Sequence, residues 1–109
     1  MKVHAHESDL APAGQGHASG VLIGETHGGV KGFCLGISYY DRPEYGKPGV
    51  HEDQEGFYVL AGTGLAKVGD EEFPIRPGSA FLAAQGVPHT MKRDPESGPV
   101  KVLWTHGAV

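Results

Sequence analysis

The sequence predicts an all-β chain, a small single-domain jelly-roll barrel. Glycine (18) and proline (8) are abundant among 109 residues, and the 39% of hydrophobic residues fall in short runs bounded by turn formers. No stretch makes a convincing helix or an internal repeat, and several runs alternate at the period of two that a half-buried strand requires. A chain of this length supports one modest core, not two.

Residues 1–20 read as an N-terminal arm, with loop formers Pro12, Gly14, Gly16 and Gly20 and a short edge strand near residues 3–6. His4 and His6 form an H-x-H pair and His17 follows, but no carboxylate frames them. They read as residues of a solvated arm, since isolated histidine pairs often occur without a metal. Residues 21–109 make the barrel. A first strand over 21–26 turns at His27-Gly28-Gly29, with His27 a turn residue. A second spans 32–41, with Phe33, Leu35, Ile37 and Tyr39 on one face and Cys34, Gly36, Ser38 and Tyr40 on the other. The bulky set suits an interface between sheets or subunits, and the small set leaves room for a pocket.

Residues 42–49 form a loop at the barrel mouth, where Arg42 and Tyr45 are candidate substrate contacts, with an exposed variable loop the favoured reading of each. After Gly62 a hairpin turns at Gly69-Asp70, a pair suited to positive φ. Its return strand directs Phe73 and Ile75 inward, and Pro74 confines that strand to an edge or a bulge. Strands over 79–84 and 89–92 follow, separated by Gly86-Val87-Pro88. A closing strand over 100–106 sets Val100, Val102 and Trp104 on one face. His106 shares that face but lies three residues from the last one, where strands fray, and is read as outside the site.

Charge and cysteine content exclude several functions. A net charge of −4 with no Lys/Arg cluster argues against nucleic acid or an anionic membrane as partner. No segment approaches the roughly 18 apolar residues of a transmembrane helix, and the first residues lack a signal-peptide apolar region. Cytoplasmic is the expected location. Cys34 is the single cysteine, so it makes no internal disulfide and reads as a small buried filler. There is no G-x-S-x-G elbow, phosphate loop, dinucleotide fingerprint or C-x-x-C pair.

The chemistry concentrates in two stretches. Residues 48–64, PGVHEDQEGFYVLAGTG, bring polar ligand types to the mouth of an apolar strand. On an extended backbone His51, Asp53 and Glu55 share a face. Residues 78–89, GSAFLAAQGVPH, deliver His89 after an apolar strand and a Gly86 turn. Two imidazoles and a carboxylate form the facial triad that suits Fe(II) and also holds Mn, Ni or Zn. His51, Glu55 and His89 are therefore the candidate ligands of one divalent transition metal. Asp53 is a candidate extra ligand, and so is Gln54 if the strand bulges.

These stretches resemble the two motifs of the cupin family. His51-x3-Glu55-x6-Gly62 is similar to the later part of the first motif, G-x5-H-x-H-x3-4-E-x6-G. Gly78-x5-Ala84-x-Gly86-x2-His89 is similar to most of the second, G-x5-P-x-G-x2-H-x3-N. Four positions depart: Pro43 stands at the opening glycine, Gly49 at the first histidine, Ala84 at the proline and Arg93 at the asparagine. One of the family's usual ligands is therefore absent. The resemblance implies a cupin barrel, a metal site on His51, Glu55 and His89, and a homodimer.

Two functions follow. One is a metal-dependent, dioxygenase-like enzyme acting on a small molecule, its pocket lined by Tyr40, Phe57, Val59, Phe81, Met91 and Trp104. The other is a non-enzymatic module that binds or senses a small ligand, a sugar or an organic acid, through a degenerate metal site. Gly49 favours the second if it marks a decayed site.

Overall fold

The structure, a computed structural model, describes residues 2–12 and 17–107. Its eight strands are β1 (Gly20–Ile23), β2 (Cys34–Tyr40), β3 (Gln54–Ala61), β4 (Gly64–Val68), β5 (Glu71–Ile75), β6 (Ala80–Ala83), β7 (His89–Arg93) and β8 (Val100–Gly107). Short 3-10 turns lie at Glu7–Asp9 and Glu25–His27. Every strand pairing is antiparallel. One sheet runs β1-β2-β8-β3-β6 and the other β5-β4-β7. Two antiparallel sheets enclosing one core form the expected jelly roll.

Alternation along the strands decides what is buried. Phe57 and Val59 of β3, Ala83 of β6, and Val100 and Val102 of β8 meet Ala66 of β4, Ile75 of β5 and Met91 of β7. Val59, Val100 and Val102 have no solvent exposure. Pro74 sits on β5, which pairs with β4 alone, so its missing N–H costs no ladder bond on the open side. Gly62, which closes the first motif, has φ +82, and a Cβ there would collide with the Pro99 carbonyl. That glycine lets the chain pass under the start of β8.

The small face of β2 is filled, not vacant. A methyl on Gly36 would overlap the Trp104 ring, and the Trp104 indole Nε1–H donates to Ser38 Oγ at 2.8 Å. The room left by the small residues of β2 is taken by one indole. On the opposite face Ile37 is 5% exposed.

Residues 3–6 are not a strand. The polar run Glu7–Asp9 instead makes a 3-10 turn, and Ser8 N–H donates to His6 Nδ1 at 3.1 Å. The arm is nonetheless tied down. Lys101 Nζ pairs with Glu7 at 3.1 Å, His17 stacks on Tyr39 with ring centroids 4.4 Å apart, and Ser19 Oγ–H donates to the Ile37 carbonyl at 3.1 Å. Gly14 and Gly16, read as loop formers, lie outside the described residues. Among the described residues no helix is long and apolar enough to cross a membrane.

Candidate metal centre

Three backbone devices assemble the site. Gly49 and His89 form an isolated antiparallel bridge, each N–H donating to the other's carbonyl at 2.8 and 2.9 Å. Gly86 N–H donates to the His51 carbonyl at 2.9 Å, so the turn of the second motif holds the loop that carries His51. Glu55 lies on β3 between two partners, Ala83 of β6 and His106 of β8. The two motifs, far apart in sequence, are thereby clamped together.

The candidate ligand atoms converge on Glu55. His89 Nε2 is 3.0 Å and His51 Nε2 is 3.2 Å from Glu55 Oε1. One ligand atom from each residue lies within 4.8 Å of the other two, the one such group of three found among the described residues. Glu55 and His89 are buried at 5% and 6% exposure, while the His51 side chain is 41% exposed. The cluster therefore opens to solvent on its His51 side.

The donor arrangement fits a cation. His89 Nδ1 lies 3.2 Å from the Val87 carbonyl, which only accepts, so that nitrogen carries the proton. A neutral His89 then aims its Nε2 lone pair at Glu55 Oε1. That oxygen is sealed from solvent and, while His89 is neutral, takes no hydrogen bond from it. A buried carboxylate oxygen without a donor is costly, and a lone pair set against it adds repulsion. A divalent cation among the three atoms removes both costs. In its absence the Glu55 carboxylate raises the His89 imidazole above its ordinary value, with burial opposing and the Val87 carbonyl assisting.

The two extra ligand candidates go elsewhere. Asp53 precedes β3, in a bend, and shares the His106 ring with Glu55 instead of joining the cluster of three. Its Oδ1 lies 2.9 Å from His106 Nδ1. Gln54 opens β3 opposite Gly107 and, as the immediate neighbour of inward-facing Glu55, points to the other face. The irregularity in β3 falls between Val59 and Ala61, too far along to turn Gln54 inward.

The residues expected to line a pocket divide. Phe57 reaches the site, its ring centroid 5.5 Å from that of His89, and stacks on Phe81 at 4.7 Å. Trp104 meets His106 edge-on at 5.3 Å. Val59 is sealed in the core. Tyr40 and Met91 border an open recess of about 310 Å³, shared with Arg42, Lys47 and Thr90. Burial, with the Glu55 charge assisting, pushes the Tyr40 hydroxyl up to about 12. Tyr45 does not point free into that space: its O–H donates to Glu72 Oε2 at 2.7 Å, and Lys92 Nζ lies 4.5 Å from its ring centroid.

The sequence missed His106. It is the register partner of both Glu55 and Cys34, because β8 is the central strand between β3 and β2. Its Nε2 is 3.0 Å from Glu55 Oε2, and its ring meets that of His51 at 4.6 Å. The signal was available in the alternation Val100, Val102, Trp104, His106.

Residues 41–106 match the family described as the cupin domain. The chain belongs to the cupin family. No curated protein matches it in sequence. Among solved structures it is similar to the polyketide cyclase RemF from Streptomyces resistomycificus, with TM-score 0.76, 22% identity, and coverage of 98% of this chain and 80% of that one. It is similar to the cupin domain of Schizosaccharomyces pombe Cnp3, with TM-score 0.70, 15% identity, and coverage of 84% of this chain and 61% of that one. It also resembles a salicylate 1,2-dioxygenase variant from Pseudoaminobacter salicylatoxidans in complex with gentisate, with TM-score 0.70, 16% identity, and coverage of 89% of this chain but 26% of the dioxygenase. At these identities the likeness is one of fold.

Proposed function

We propose that this cupin holds one divalent transition metal, Fe, Mn, Ni or Zn, through His51, Glu55 and His89, and acts on a small molecule at the open side of the site. The observation that carries this is Glu55 Oε1, sealed from solvent and faced by two imidazole Nε2 atoms at 3.0 and 3.2 Å. When bound, such a metal supplies Lewis acidity or, as iron, electrons for dioxygen chemistry.

The chain's own residues define the rest. Val87 fixes the tautomer of His89, and Glu55 brings the negative charge that a divalent cation needs. Phe57 and Trp104 screen the site from the core side, and half-exposed His51 leaves the entry open. Arg42 and Lys47 lie on the recess with Tyr40 and Met91, beside Asp41 and Glu44, so a small organic acid there would meet both signs of charge. A dioxygenase-like reaction on such an acid is tested by loading the protein with Fe(II) and measuring dioxygen uptake across a panel of small organic acids. Uptake that depends on one acid and is lost in His89→Ala supports the enzyme.

Gly49 favours a second reading. It leaves the ligand set one imidazole short of the family pattern, which suits a non-enzymatic module that binds or senses a sugar or organic acid. A ligand that raises the thermal midpoint of the loaded protein without being consumed decides for that module. We also propose a cytoplasmic homodimer. Tyr58, Leu60 and Leu82 are 47%, 40% and 56% exposed on β3 and β6 and offer an apolar surface to a second copy.

A further inference from the structure

The proposed metal ligands leave one partly buried imidazole unexplained. His106 is outside both motifs, yet each ring nitrogen faces a carboxylate: Nδ1 lies 2.9 Å from Asp53 Oδ1, and Nε2 lies 3.0 Å from Glu55 Oε2. Its side chain is 14% exposed. The rings of Trp104 and His51 both meet it nearly perpendicular, at 5.3 and 4.6 Å. Pairing of Glu55 with His106 across β3 and β8 fixes the backbone beneath both side chains. The ring is held on every side.

The two oxygens of Glu55 are thus divided. Oε2 meets His106, while Oε1 meets His51 and His89. A carboxylate free to rotate would present either oxygen to the ligand histidines, whereas this one is anchored at its far oxygen. We infer that His106, held by Asp53, is a positioning residue that fixes the Glu55 carboxylate with Oε1 toward His51 and His89. This rests on the metal reading above. It gives the site a support from the last strand where the first motif, with Gly49, lacks a side chain. Hydrogen-bonded partners of ligating carboxylates tune affinity in this way, and losing one costs about 10- to 100-fold in metal affinity.

The test titrates Zn²⁺ calorimetrically into metal-free parent, His106→Leu, His106→Gln, Asp53→Ala and His89→Ala. Thermal midpoints of the metal-free proteins and visible spectra of their Co²⁺ forms accompany each titration. His106→Leu is expected to weaken Zn²⁺ binding by about 10- to 100-fold and to change the Co²⁺ spectrum. His106→Gln, whose amide N–H can donate to Oε2, is expected to restore most of the affinity, and Asp53→Ala to fall between the two. If His89→Ala abolishes binding while His106→Leu binds like the parent with the same Co²⁺ spectrum, the positioning role is overturned and the metal site stands. A loss that merely follows a lower thermal midpoint, without rescue by His106→Gln, also overturns it. If the parent binds neither Zn²⁺ nor Co²⁺, the metal reading falls and the inference with it.

Discussion

Gly49 and His89 are joined by two backbone hydrogen bonds, and a Cβ built on Gly49 would lie 3.2 Å from His89 Nε2 and 3.5 Å from His51 Nε2. The position that carries the family's first motif histidine therefore points at the two imidazoles this chain retains. Gly49→His is expected to complete the ligand set after a shift of a few tenths of an ångström in the His89 ring. Metal affinity should rise by about tenfold, or about 1.4 kcal/mol, as measured by competition with a chromophoric chelator. Unchanged or weaker binding would mean that the added side chain cannot reach the cation.

The pH dependence of the metal-free and metal-bound forms should run in opposite directions. In the metal-free protein the Glu55 carboxylate raises His89 above its ordinary value. A raised folded value contributes stability that is fully present below the ordinary imidazole pKa of about 6.5 and is lost as pH climbs through the folded value. Metal binding needs the deprotonated imidazole and strengthens over the same climb. The gap in thermal midpoint between Zn²⁺-loaded and metal-free protein is thus expected to widen with rising pH, which scanning calorimetry across that range measures. A gap independent of pH would remove the histidines from the ligand set.

Gly36 has no room for a side chain, because a Cβ there meets both the Trp104 ring and the Gly20 carbonyl. Gly36→Ala is expected to overpack the inner face of the larger sheet and cost about 1–3 kcal/mol, read by urea denaturation. The same variant should loosen the indole that packs on His106, with a change in tryptophan fluorescence as its sign.

Arg93 replaces the asparagine of the second motif and takes a structural task. Its Nε–H donates to the Asp41 carbonyl at 3.0 Å, and its Nη1 to the carbonyls of Asp94, Pro95 and Ser97 at 3.2 to 3.3 Å. One guanidinium thus closes the loop between β7 and β8. Arg93→Ala is expected to cost about 1–3 kcal/mol in stability, since hydrogen bonds to a charged group are lost together. Arg93→Lys should recover only part, because a lysine lacks the planar fork. Chemical denaturation of both variants checks this.

The fold was legible because glycine and proline punctuate short alternating runs, and because the glycine-framed motifs keep their order. The convergence of His51, Glu55 and His89 was legible from the same spacing. What was not legible depended on pairing. Asp53 lies on the Glu55 side, as a period of two predicts, but its carboxylate is met by His106, and His51 enters from a loop held by Gly86. His106 looked like a fraying end, yet it lies on the strand flanked by β2 and β3, the best-buttressed position in its sheet. No local pattern announces which strand is central. The inner face of β2 suggested space, and only the three-dimensional pairing shows Trp104 filling it.

The most direct measurement is the metal content of untagged protein by elemental analysis after reconstitution, set beside a His51→Ala/His89→Ala double variant whose fold is checked by circular dichroism. About one equivalent of a divalent transition metal in the parent, with loss from a folded double variant, is the expected result. A parent that takes up none, or a folded double variant that keeps as much as the parent, would contradict a metal centre built on His51, Glu55 and His89.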